Sequence, residues 1–274
     1  MSAVVAGQRL APGQKVETFR YWRLCAWAGP VFLFVFVAFW GFLGGNIPPI
    51  PANHPATDLA NHYRNNANLI RIGMGVSMTF VVLYMIWGFS IAKVIERGIE
   101  RGTDNNILST LALWGAGLTV VPLLIGAAFW LTGSYRPNGL DASTLQLFYD
   151  MPWLLINLAY AVTTLQMIAM GVAFLKDKRP KPLFPRWLSW MGIWVGVSFA
   201  LELFFPFFKT GPFARQGLVN FWIEFFLWFF WIVFVTVGVL NAINRLEAEA
   251  AAEQQEIASL AQAVRRDAPA HVEA

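Results

Sequence analysis

Two glutamates set the chemical question. Glu202 and Glu224 stand inside long apolar runs, five residues before the end of one run at Phe207 and seven after Gly217 at the start of the next. A charged side chain at the centre of a membrane helix costs about 2.5–3.5 kcal/mol on insertion scales, so it is retained for a partner or a purpose. At about 1.5 Å per helical residue the two acids lie roughly 8 and 10 Å below one membrane surface, on consecutive antiparallel helices. Matched depth lets them face each other, and helix rotation decides whether they do. Desolvation disfavours the charged form of a carboxyl, which makes each a candidate proton donor or carrier. One kept ionised and the other kept neutral would form an acid and base pair, able to protonate a double bond in a lipid-like substrate or to carry a proton.

Polar residues recur around them at helical spacing. Ser198 precedes Glu202 by four and Asn220 precedes Glu224 by four, while Asp150, Asn157 and Thr164 repeat every seven with Tyr160 beside the stripe. Arg64, Asn68 and Arg71 share a face of the second apolar helix. At the same end of the bundle, Asp150, Glu202 and Glu224 are balanced by Arg71, Lys209 and Arg215. Two readings follow. The charges form a structural ion-pair network, or they build a site with Glu202, Glu224 and Asp150 as acid and base candidates. In the second reading Arg71 is the charge partner, and Arg71, Asn157, Tyr160, Asn220, Lys209 and Arg215 contact the ligand.

The elements that must hold these residues are membrane helices. Of 274 residues, 57% are hydrophobic and 13% are charged, against about 25% charged in a soluble domain. Apolar stretches near 22–44, 69–92, 107–132, 151–175, 187–207 and 218–243 are each long enough for the hydrocarbon layer. They are continuous rather than alternating, so the fold class is an all-α polytopic bundle of six transmembrane helices. Residues 1–21 read as a flexible cytoplasmic arm, 22–243 as the membrane domain and 244–274 as a helical cytoplasmic tail that continues the sixth span. Thr57 or Asp58 offers an N-cap for a short surface helix running on towards the second span.

Lys and Arg set the orientation. Fifteen of the 20 fall in the N-terminal arm, the second and fourth loops and the tail; Arg64, Arg71, Arg136, Lys209 and Arg215 fall on the other side. Both termini are therefore expected in the cytoplasm of a bacterial inner-membrane protein, with FFKTGPFARQG, residues 207–217, facing out. The net charge of +4 is accounted for by insertion and anionic headgroups, with no nucleic acid partner. The first apolar run exceeds a signal-peptide core and no small-residue cleavage pattern follows it, so it reads as an uncleaved span.

Several chemistries lack their residues. The lone Cys25 offers no disulfide or thiolate cluster, and His54, His62 and His271 lie outside the spans, so neither a bis-His haem nor a histidine-rich di-iron site can be built. No metal or other cofactor is expected; His54 and His62 flanking Asp58 read more simply as surface polar residues. No lysine sits mid-span, and neither a Walker loop nor a dinucleotide fingerprint occurs. Gly73-x-Gly75 and the Gly115, Gly117 and Gly126 set read as small-residue helix contacts. The aromatics read as interfacial belt and lipid contact, or as the wall of an apolar cavity. Thr132-Gly133-Ser134-Tyr135 with Gly139-Leu140 aligns on Thr210-Gly211-Pro212-Phe213 with Gly217-Leu218, a weak hint that two hairpins are copies.

KTGPFARQGLVNFW from Lys209, LFPRWLSWMGIWV from Leu183, and PPIP with HYRNNANLIRIG resemble an uncharacterised family of bacterial six-span integral membrane proteins sharing the FFKTGPFA-x-x-G loop. The resemblance implies the span count and brings no activity with it. Three classes stay open: a binder, or acid/base enzyme, for an apolar lipid-like compound; an accessory subunit or homo-oligomer in contact with another membrane protein; and a small proton-coupled transporter. A closed apolar cavity beside the acids marks the first, a flat aromatic face the second, and polar groups through the full thickness the third.

Overall fold

The computed structural model describes residues 17–102 and 105–267, so most of the arm expected over 1–21 lies outside the described residues. Six helical segments are long and apolar enough to cross a membrane: Phe19–Leu43, Ala56–Gly98, Ile107–Tyr135, Ala142–Leu175, Arg186–Phe207 and Leu218–Ala263. Among the described residues there is no strand. The chain is an all-α bundle with the architecture of a multi-pass membrane protein.

The spans are less regular than their hydropathy. Helix α1 (Glu17–Val35) widens into a π-helical stretch, Phe36–Leu43. Helices α2 (Ala56–Phe80) and α3 (Val82–Gly98) meet at Val81, and α4 (Ile107–Tyr135) is one helix with Pro122 inside it. Span four divides at Ala159 into α5 (Ala142–Leu158) and α6 (Tyr160–Leu175). Helix α7 (Arg186–Ser198) tightens into a 3₁₀ segment, Phe199–Phe207, and a π-helical stretch, Leu218–Ile223, opens α8 (Glu224–Asp267). The connections 44–55, 136–141 and 208–217 share one end, here the loop face; the opposite end is the tail face.

Local chemistry explains the helix ends. Asp141 caps α5 by accepting from the Thr144 amide at 2.9 Å, and the Ser143 hydroxyl, with Thr144, holds its carboxyl below the usual carboxylate range. This extends the helix nine residues before the apolar run expected at 151. Helix α2 starts at Ala56 after Pro55, without a side-chain cap, and carries one non-helical residue, Asn66. Arg71 donates to the carbonyls of Ser134 and Tyr135 at 2.9 Å each and so closes the end of α4. Gly211 takes a φ of +83° in the third loop-face turn. Gly133, its counterpart in the proposed repeat, is instead helical and packs on Tyr63, so the two matched segments have different conformations.

Helix α4 is central and packs on α2, α3, α5 and α6. A Cβ at Gly115 would lie 2.6 Å from the Gln166 amide nitrogen, so this glycine lets two backbones touch. Trp40, Trp130 and Trp153 form a buried triangle with ring centroids 5.5–5.9 Å apart, and Phe225 stacks on Trp40 at 5.6 Å. At the tail face α8 continues without a break and is tied back to the bundle. Arg101 pairs with Glu253 at 2.6 Å, Arg23 with Glu247, and Arg245 donates to the Lys181 and Pro182 carbonyls. Glu253 of the tail thereby meets a basic partner on the bundle.

Candidate functional site

Glu202 and Glu224 come together. They line one cavity of about 50 Å³, open on one side, walled by α4, α5, α6, the 3₁₀ end of span five and the start of α8. The two carboxyl groups lie within hydrogen-bond reach of each other. Glu224 is 2% exposed, and neither of its oxygens, nor Oε2 of Glu202, meets a hydrogen-bond donor among the described residues. Two carboxylates cannot donate to one another. The pair is satisfied only when one carboxyl holds a proton and gives its O–H to the other, or when a donor arrives from outside the chain.

The backbone around this point departs from the α-helix in three of the four spans that contribute. Pro122 supplies a wall residue and removes an amide from α4; Ala159, at the break between α5 and α6, lines the cavity; Glu202 lies on the 3₁₀ segment; Glu224 follows the π-helical stretch. Irregular backbone at membrane depth is tolerated where it is buried or lines a cavity. The 3₁₀ segment also sets the level of Glu202. At about 2.0 Å per residue it lies about 10 Å from Phe207, deeper than a regular helix would put it, and level with Glu224.

The rest of the wall mixes a few polar groups with apolar ones. Asn157 and Tyr160 reach it from span four, together with Thr119 and Thr163, whose hydroxyls lie 3.0 Å apart. Phe199, Phe225 and Trp228 supply aromatic surface. Trp228 donates to the Tyr84 hydroxyl at 3.4 Å, and Tyr84 donates to Gln166 Oε1 at 2.7 Å. One layer further, Trp87 donates to Thr236 at 2.9 Å. Beyond it towards the tail face the packing is mostly apolar, with Ile91, Val94, Ile95, Val239 and Ile243 buried alongside Ser90 and Ser189.

The other expected site residues go elsewhere. Arg215, 3% exposed, pairs with Asp150 at 2.5 Å, donates to the Ile50 carbonyl at 2.9 Å and lies 4.8 Å over the Tyr149 ring. Arg215 therefore knits the first and third loop-face connections to α5. Arg71, expected as the charge partner of the acids, caps α4 instead. Lys209 is exposed on its loop, where its carbonyl accepts from Gln216. Asn220 is buried one turn before Glu224, outside the cavity wall, and both its side-chain polar atoms lack a partner among the described residues. Ser198 spends its hydroxyl on the Val195 carbonyl. Thr164 bonds the Gly196 carbonyl, so the seven-residue stripe of Asp150, Asn157 and Thr164 serves three separate contacts once Ala159 breaks its helix. His54 pairs with Asp58 at 3.0 Å, while His62 packs against Tyr63 and Tyr149.

Thr119 and Thr163 escaped the sequence reading, and Phe199, Phe225 and Trp228 entered it only among the aromatics that could wall a cavity. Asn157, Tyr160 and Thr163 do recur at three-residue spacing, and Trp228 is one turn beyond Glu224, so a weak signal existed. Compared with protein-family models, curated proteins and solved structures, the chain matches none.

Proposed function

We propose that this membrane protein binds an apolar, lipid-like compound whose polar or reactive end meets Glu202 and Glu224, and that the acid pair can pass a proton to it. The observation that carries this reading is the donorless carboxyl pair in an open, largely apolar recess, set where three spans leave α-helical geometry. The recess of about 50 Å³ has room for a small head, since about 10–15 Å³ of such water-accessible space holds one water. The rest of the ligand lies outside it, where Leu158, Leu201 and Leu203, exposed near the wall residues, offer hydrocarbon surface. The charge bias of the loops supports a bacterial inner-membrane location with the tail face cytoplasmic and the loop face outward. The loop motif supports membership of the six-span family it resembles.

The transporter reading is weaker: buried polar residues continue from the acids through Tyr84 and Gln166 to Trp87 and Thr236, and then give way to a layer where Ser90 and Ser189 are isolated among apolar side chains. The subunit reading draws on the Phe226, Phe230 and Phe234 stripe, half exposed on α8, which bilayer lipid also covers. Mass spectrometry of organic extracts from purified protein tests the preferred reading. A compound retained by the wild type and depleted several-fold in the Glu202→Gln, Glu224→Gln double variant is the expected result. Identical extracts from two equally folded proteins would remove the reading.

A further inference from the structure

We propose that the ligand head recognised at this site is a primary ammonium, so that the protein takes an aliphatic amine whose apolar tail lies against the open side of the recess. The inference rests on the binding reading above and narrows it to one chemistry. Three carboxyl oxygens, Oε2 of Glu202 and both oxygens of Glu224, are buried without a donor. A primary ammonium brings three N–H donors, one for each bare acceptor, and a positive charge to set against the carboxyl pair. A neutral head supplies fewer donors and leaves the negative charge without a partner.

Among the described residues, no cation of the protein lines the site. The wall contains no Lys, Arg or His from any of its helices, and Tyr160 is its only ionisable residue besides the two glutamates. The basic groups nearest in sequence are committed or distant: Arg215 to Asp150, Arg71 to the end of α4, Lys209 to the exposed loop. Phe199, Phe225 and Trp228 add aromatic surface, and ring faces attract organic cations. A trimethylammonium head carries the charge but has no N–H to give these oxygens.

The test uses the full-length protein in a maltoside detergent at mildly alkaline pH, with thermal unfolding followed against added octylamine, octanol or octyltrimethylammonium. Octylamine is expected to raise the unfolding midpoint in a saturable way at concentrations where the other two do not. Glu202→Gln and Glu224→Gln are each expected to weaken its apparent affinity by about tenfold or more, since each removes a desolvated charge partner. The three-probe comparison on the wild type decides the matter even where a variant folds poorly. An equal shift with octanol overturns the amine inference and leaves the apolar-ligand reading standing. A shift reproduced by sodium or potassium chloride alone overturns it in favour of an inorganic cation. No saturable shift with any probe overturns it and removes support from the binding reading as well.

Discussion

Asp150→Ala lowers the unfolding midpoint in detergent further than Arg215→Met, although the two substitutions break the same ion pair. The asymmetry follows from burial: the Arg215 side chain is 3% exposed and that of Asp150 is 38% exposed. Removing the acid strands a buried guanidinium, whose loss of partner costs about 3 kcal/mol at the low end of measured buried-pair deletions. The Ile50 carbonyl and the Tyr149 ring stay with Arg215 but do not neutralise it. Removing the arginine strands a carboxylate that water already reaches, so with the methionine filling the volume the cost falls to about 1 kcal/mol. Lys209→Ala, on the same loop, is expected to leave the midpoint unchanged. Chemical or thermal unfolding of the three variants checks the order, and a reversed order would show that Arg215 is not held by Asp150.

Gly115→Ala separates two helices that the fold needs in contact. The new methyl would stand 2.6 Å from the Gln166 amide nitrogen, and backbone cannot swing aside as a side chain can. Overpacking of this kind costs about 1–3 kcal/mol. Helix α6 also carries Thr163 in the cavity wall and Gln166 on Tyr84, so the displacement reaches the site itself. Gly75→Ala is the matched control, because nothing lies within 4 Å of the added methyl. The expected result is a large drop in folded yield and midpoint for Gly115→Ala and no drop for Gly75→Ala. Equal behaviour would mean that α4 and α6 do not meet at this glycine.

The contrast between these glycines shows what sequence carries and what it does not. Gly73, Gly75, Gly115 and Gly117 look alike as small residues in apolar runs. Yet Gly73 meets the Phe39 carbonyl, Gly115 meets α6, and Gly75 faces open space, because helix rotation is set by the whole packing. Span number was legible, since hydropathy and length impose it, while the helix of span four starts nine residues before its apolar run. The shared depth of Glu202 and Glu224 was also legible, as each could be counted from a helix end. Arg71 was assigned to the acids on depth alone, and its guanidinium reaches α4 instead.

The breaks were the least legible feature. Nothing in FALELFFPF distinguishes a 3₁₀ segment from an α-helix, and the divisions at Ala159 and around Leu218–Ile223 leave no trace in periodicity. These irregularities are what bring Asn157, Phe199 and Thr163 to the acids. The FFKTGPFARQG loop was legible as a turn, but the work of Arg215 was not. Its partners, Asp150 and Ile50, come from distant parts of the chain.

The central claim is that Glu202 and Glu224 form a proton-holding acid pair reached from the apolar side. Dicyclohexylcarbodiimide tests it directly, because an apolar carbodiimide adds to protonated carboxyls in membrane sites and leaves a stable acylurea. Peptide mass mapping after treatment is expected to place the adduct on Glu202 or Glu224, with little labelling there by a water-soluble carbodiimide. An adduct on neither residue, or equal labelling by both reagents, would contradict the account.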